Sequence, residues 1–242
     1  MKVLLFDLEV SPTKGWFWGQ KMWEENIIKV LEPPYMLSVA YQWLGGKTQV
    51  KALCDFKGYN PKKKCDKMLV SFLRDLLSEA DLVIGQNSDK FDIRWFNTRC
   101  LIHKFPPPKP YKTLDTLKIN KKYFRFISNK LDVVAPILGH GRKVEHEGFP
   151  LWEKCMAGCP KAWERMKKYN RRDVDLTADI YKDILPWIQQ VQPVYDKPKC
   201  PKCPGNLWKR GFETKRDGKY QRLTCNECGS TYCGAKIIQR II

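Results

Sequence analysis

The sequence predicts an α/β protein: a mixed five-stranded sheet covered by helices, followed by a small cysteine-bearing domain. Three observations carry this. Apolar runs follow the order three strands, helix, strand, helix, strand, then helices. Gly45-Gly46 joins two strand-like runs as a hairpin turn does. Beyond residue 199 the chain becomes basic and is punctuated by cysteine pairs.

The first strand is expected over residues 1–10, an apolar run ending in Asp7 and Glu9. Tyr35–Trp43 and Thr48–Phe56 follow as an antiparallel meander. Between the first strand and Tyr35, Ser11–Pro34 reads as a loop with an aromatic cluster, Trp16, Phe17, Trp18 and Trp23, suited either to packing or to stacking on bases. Cys65–Ala80 has a helical apolar face, Asp81–Asn87 reads as a short buried strand, and Phe91–His103 as a helix closed by Pro106-Pro107-Pro108. Asp89 is the expected N-cap of that helix. Tyr111–Ile119 reads as the fifth strand, with Asp115 as a strand-end cap. A helix runs from Ser128 to Leu138, then a loop over Gly139–Pro150. A long helix spans Cys159–Val191, with Pro186 predicting a kink or break. The expected domains are residues 1–191, a linker at 192–199, and 200–242.

With 43% hydrophobic residues, the 242-residue chain has enough apolar area for a real core, which excludes a disordered protein. Lys and Arg outnumber Asp and Glu by 44 to 26, a formal charge of +18. That excess suits a polyanion, nucleic acid ahead of an anionic membrane. No apolar run reaches the roughly 20 residues that span a bilayer. The stretch Lys2–Phe6 is too short for a signal peptide. A cytoplasmic protein is expected, whose ten cysteines serve as metal ligands or buried thiols rather than disulfides.

Three groups of residues point to chemistry. Asp7 and Glu9 are two apart on a strand, so both carboxylates face the same way and repel each other unless cations neutralise them. Asn87-Ser-Asp-Lys-Phe91-Asp92 lies at a strand-to-helix junction, where active sites of open α/β sheets gather. Asp92 falls in the first helical turn, where the macrodipole favours a carboxylate. Tyr169 and Asp173 are four apart, so they share a helix face.

Taken in order, Asp7-Leu-Glu9, Asn87-x-x-x-Phe91-Asp92 and Tyr169-x-x-x-Asp173 resemble the three motifs of the tyrosine-bearing branch of the DEDD 3′–5′ exonucleases. Tyr41-Gln-Trp43, Leu114-Asp-Thr116 and Asn129-Lys-Leu131 are similar to segments of the proofreading domains of B-family polymerases. Gln86 departs from that pattern, which often has His there. The histidine-bearing branch is not matched, because neither His140 nor His146 is followed by Asp at the required spacing. The resemblance covers about residues 1–190 and implies a ribonuclease H-like fold. It implies that Asp7, Glu9, Asp92 and Asp173 hold two Mg²⁺ or Mn²⁺ ions, that Tyr169 orients the attacking water, and that Asn87 and Phe91 contact substrate. The implied reaction releases nucleoside 5′-monophosphates from single-stranded 3′ ends, DNA ahead of RNA. Replication or repair proteins are the implied further partners.

Cys200-x-x-Cys203 and Cys225-x-x-Cys228 form two knuckles of four thiolates, the donor set of a structural Zn²⁺. The region is too small and polar to fold on a core alone, so zinc is expected to stabilise it. Cys233 is not expected to be a ligand, and Cys155 and Cys159 read as structural. From Lys197 onward eleven Lys and Arg stand against three acids, which favours phosphate contact, with Trp208, Phe212 and Tyr220 as stacking surfaces. Lys104, Lys109, Lys112, Lys118, Lys121, Lys122 and Arg125 form a second basic stretch that would flank the incoming strand. The competing function is a non-catalytic nucleic-acid-binding protein or a replisome adaptor on a nuclease-like fold.

Overall fold

The computed structural model describes residues 2–18, 27–191, 199–215 and 218–236. The chain divides into two compact units, Met1–Ile184 and Leu185–Ile242. Most of the expected linker, and Trp23, lie outside the described residues.

The first unit is built on β1 (Val3–Val10), whose Leu4, Leu5, Phe6 and Leu8 are buried. Next come β2 (Lys14–Trp16) and β3 (Lys29–Glu32), an antiparallel ribbon where a plain loop was expected. Gly15 allows the close pairing, since a Cβ there would stand 2.8 Å from the Lys29 carbonyl oxygen. Trp16 and Trp18 are 64% and 77% exposed, so they do not pack beneath this segment.

β4 (Met36–Trp43) and β5 (Gln49–Ala52) complete the meander. α1 (Lys67–Glu79) buries Leu69, Val70, Leu73 and Leu77, the i, i+4 stripe expected of a helix lying on a sheet. β6 (Leu82–Gly85) leads to α2 (Asp92–Ile102), and β7 (Lys112–Asp115) to α3 (Thr116–Tyr123). The fifth strand is thus shorter than expected and turns into a helix at Thr116. The cause is the Asp115 carboxylate, which accepts the Leu117 N–H at 3.0 Å and so caps α3. α4 (Leu131–Ile137) starts later than expected. α5 (Phe149–Met156) takes the last two residues of the expected loop and the stretch after it, with proline in its first turn. α6 (Pro160–Val191) runs through Pro186 without ending.

The sheet order is β5-β4-β1-β6-β7. β1 pairs antiparallel with β4 and parallel with β6, and β6 with β7. This is a mixed five-stranded sheet, with β1 in its centre. Trp163 and Met166 of α6 and Phe96 of α2 join β1 and β4 in one apolar core.

The second unit contains a three-stranded antiparallel sheet in the order β10-β9-β8, from β8 (Leu207–Lys215), β9 (Gly218–Cys225) and β10 (Thr231–Lys236). β8 is exposed along most of its length. No helix among the described residues is long and apolar enough to cross a membrane.

Candidate active site

β1 pairs with β6 only from Val3 to Leu5. Beyond that point the Leu8 N–H goes to the Asp92 carboxylate, whose Oδ1 accepts it at 2.8 Å. Asp92, in the first turn of α2, is thereby drawn to the strand between Asp7 and Glu9. On the other edge, a register shift in the β1–β4 ladder follows Glu9, an irregularity of the kind that re-aims side chains beside sites. Asp173 comes from α6. One carboxylate oxygen each of Asp7, Glu9 and Asp173 lies within 4.8 Å of the others. Asp92 stands next to this trio, and its charge acts on Asp7.

Glu9, Asp92 and Asp173 are buried and Asp7 is partly buried, and all four hold their protons more tightly than free carboxyls. Burial is the first cause in each. Asp7 is raised well above its ordinary value by burial, then by Asp92, Glu9 and Asp173. Glu9 is pushed up to about 8 by burial and Asp173, and Asp92 to about 7 by burial, against the Leu8 N–H. Asp173 is raised by burial in spite of Lys143.

Lys143 is the cation of this site, and no sequence motif pointed to it. Its Nζ lies 2.7 Å from Asp173 Oδ2 and 3.3 Å from the Tyr169 hydroxyl. Burial works against its charge, but Asp173, Tyr169 and Asp7 together push its pKa up, so it stays an ammonium. The loop that carries it is tied to α6. Arg172 donates to the His140 and Arg142 carbonyls at 2.6 and 3.1 Å, and His140 Nε2 meets Asp183 Oδ2 at 2.6 Å.

Tyr169 and Asp173 project together, as their spacing required. The Tyr169 ring is wedged edge-on against His146 and Trp152, with centroids 4.7 and 6.0 Å away. Burial and the charges of Asp173 and Glu9 raise its pKa, so the phenol remains protonated at neutral pH. His146, with no acid at a telling spacing, gave no sequence signal, and its ring contact depends on the 139–148 loop. Asn170 was also missed. It is fully buried, and its Nδ2 donates to Asp7 Oδ2 at 2.7 Å.

A cleft of about 350 Å³ opens beside the cluster, lined by Asp7, Asp173 and Lys143 together with Asn87, Asn129 and Lys130. Asn87 adopts a left-handed backbone (φ 61°), and Asp115 Oδ1 accepts its N–H at 2.8 Å. Asp115 therefore supports the cleft as well as capping α3. Phe91 does not line this cleft. It is 42% exposed at the head of α2 and packs on Trp95. Asp89 is not the N-cap of α2. It pairs with Lys118 at 2.5 Å, and Phe91 holds the cap position with no side-chain bond. All seven members of the basic stretch, Lys104, Lys109, Lys112, Lys118, Lys121, Lys122 and Arg125, are exposed.

The donor set fits hard divalent cations. Buried carboxylate oxygens are their preferred ligands. Among the described residues, Asp173 Oδ1 is buried without a hydrogen-bond partner, a lone pair that a cation would take.

In the second unit, the Sγ atoms of Cys200, Cys203, Cys225 and Cys228 all lie within 4.8 Å of one another. None is in a disulfide. Four soft donors so placed fit tetrahedral Zn²⁺, and the unit has the character of a zinc ribbon. Cys233 is not among the four. Its Sγ lies 3.8 Å from the Gly234 carbonyl oxygen. Trp208, Arg210 and Asn226 line a cleft of about 410 Å³ on the same unit. Trp208 and Phe212 are exposed, and Lys219 lies over the Phe212 ring at 4.6 Å.

No family model matches the sequence, and no curated protein is similar to it. Among solved structures, the chain is similar to the family B DNA polymerase from the hyperthermophilic archaeon Pyrobaculum calidifontis. The TM-score is 0.55 at 19% identity, over 80% of this chain and 26% of the polymerase. The chain thus spans about a quarter of that protein, and the likeness is one of fold.

Proposed function

We propose that the protein is a divalent-metal-dependent 3′–5′ exonuclease of the tyrosine-bearing DEDD type. The observation that carries this reading is the meeting of Asp7, Glu9 and Asp173, from motifs roughly eighty residues or more apart, in one buried cluster beside Asp92. The likeness in fold to about a quarter of a family B DNA polymerase supports this reading.

In this reading Asp7, Glu9, Asp92 and Asp173 would hold Mg²⁺ or Mn²⁺. Bound there, the ions supply the charge that activates water and stabilises a leaving 3′ oxygen. The chain's own groups do the rest. Tyr169, kept neutral, is a hydrogen-bond donor and acceptor that orients the attacking water rather than a base. Lys143, kept charged, faces the cleft and meets the negative phosphate. Asn87 and Lys130 would contact the terminal nucleotide, with Phe91 further out at the rim.

The reading extends to the domains. Residues 1–191 form the nuclease body, 192–199 the linker, and 200–242 a zinc ribbon that holds the strand through basic groups and the Trp208 face. The products are nucleoside 5′-monophosphates, and DNA is the preferred substrate.

End-labelled single-stranded DNA, double-stranded DNA and single-stranded RNA, digested side by side, test the reading. Stepwise shortening from the 3′ end is expected with Mg²⁺ or Mn²⁺, and Asp7→Ala should abolish it while the chain stays folded. Equal trimming by purified Asp7→Ala would end the proposal.

A further inference from the structure

We infer that Asn170 is a positioning residue that holds Asp7 ready for a metal ion, through the chain Ser38–Asn170–Asp7. This rests on the reading of the carboxylate cluster as a divalent-metal site.

Asn170 follows Tyr169 on α6, and it turns away from the Tyr169–Asp173 face toward the sheet. Its Nδ2 donates to Asp7 Oδ2 at 2.7 Å and to the Asp7 carbonyl oxygen at 3.3 Å. Its Oδ1 accepts the Ser38 hydroxyl at 2.9 Å. Ser38 stands opposite Glu9 in the β1–β4 ladder. Both Asn170 and Ser38 are fully buried. The amide has only one workable orientation, because both Asp7 atoms it touches are acceptors and need the NH₂ end.

The use of such a tether follows from geometry: an oxygen of Asp7 has to stay within 4.8 Å of those of Glu9 and Asp173 for one ion to reach all three. Asn170 holds it in place through neutral donors. A Lys or Arg at this position would compete with the cation, and an acid would add to the repulsion. An apolar residue would leave the Ser38 hydroxyl buried and unpaired and Asp7 Oδ2 without its donor. Hydrogen-bond partners of metal-ligating carboxylates orient the ligand in this way, and their loss weakens metal affinity by about 10–100-fold.

The test uses the zinc-loaded full chain, titrated with Mn²⁺ by isothermal calorimetry, with the Mn²⁺ dependence of trimming followed in parallel. Asn170→Ala should weaken Mn²⁺ binding by about 10–100-fold and raise the half-saturating Mn²⁺ concentration equally. The KM for the nucleic acid at saturating Mn²⁺ should stay unchanged, because the tether acts on a metal ligand; a merely destabilised fold would lower the active fraction and leave the Mn²⁺ affinity of the folded chain as it was. Ser38→Ala, which removes only the bond that orients the amide, should shift Mn²⁺ affinity in the same direction by less. It carries the test if Asn170→Ala does not fold. Unchanged Mn²⁺ affinity in both variants, whatever their thermal stability, overturns the role of Asn170. If the unsubstituted chain takes up no Mn²⁺ at all, the metal reading falls instead.

Discussion

Replacing Asp92 by asparagine should stabilise the metal-free protein, and by more as the pH rises. The carboxyl is 2% exposed, and burial moves it from 3.8 to about 7 despite the Leu8 N–H. A carboxyl raised in the folded state binds a proton there that the unfolded chain has already lost. Folding stability therefore falls as pH rises from about 4 to about 7, then levels off. Each pH unit in that window is worth about 1.4 kcal/mol, so the folded state carries a penalty of about 4 kcal/mol at pH 8. An amide does not ionise, yet its oxygen can still accept the Leu8 N–H, which now lies at 2.8 Å. Asp92→Asn should thus gain about 4 kcal/mol at pH 8, about 1–2 kcal/mol at pH 5 and nothing near pH 3.5. Urea unfolding of the zinc-loaded chain without Mg²⁺ or Mn²⁺, followed by tryptophan fluorescence across this range, measures it. Added Mn²⁺ should narrow the gap, because it stabilises the unsubstituted protein by about 2.7 kcal/mol at a hundred times its Kd. A variant no more stable than the parent at pH 8, or a gain that does not change with pH, would refute the reasoning.

Two further outcomes follow from the same charges and from the cysteines. Lys143→Met breaks a pair whose side chains are 25% and 5% exposed. It should destabilise the metal-free chain by about 3 kcal/mol at pH 8, by denaturant titration, with less loss in acid as Asp173 takes up a proton. Its kcat with Mn²⁺ should fall about 100-fold, since a fixed positive charge is lost from the phosphate site. Removing zinc with a chelator should unfold the sheet of β8, β9 and β10 while the first unit keeps its own unfolding transition, as seen by circular dichroism and calorimetry. The salt dependence of single-stranded DNA binding should flatten at the same time; an unaltered slope means that the ribbon does not touch phosphate.

Local spacing made part of the site legible. Alternation along β1 puts Asp7 and Glu9 on one face, and the helical repeat does the same for Tyr169 and Asp173. Two Cys-x-x-Cys pairs announce their ligand set because the knuckle is a short-range geometry. These are properties of neighbours in the chain, and they hold in any fold that keeps the element. Lys143, His146 and Asn170 had no such signature. Lys143 and His146 sit on a loop whose course depends on Arg172 and on the His140–Asp183 pair, contacts that span about 30 and 43 residues. Asn170 could be read only as another polar helix residue until the packing of α6 on β1 and β4 turned it toward Asp7.

The same division explains the elements. Apolar periodicity determined by itself that there is a sheet with helical cover, and which strands are buried. It could not place the end of β7, because that boundary is set by the Asp115 side chain capping the next helix and holding the Asn87 backbone. It could not make a ribbon of β2 and β3, whose side chains are mostly exposed and leave no alternating pattern. Where a structure rests on burial along one element, the sequence by itself determined it. Where it rests on one side chain meeting a backbone group or an ion partner far along the chain, only the tertiary structure decided it, because the energy of such a contact exists only once both groups have been brought together.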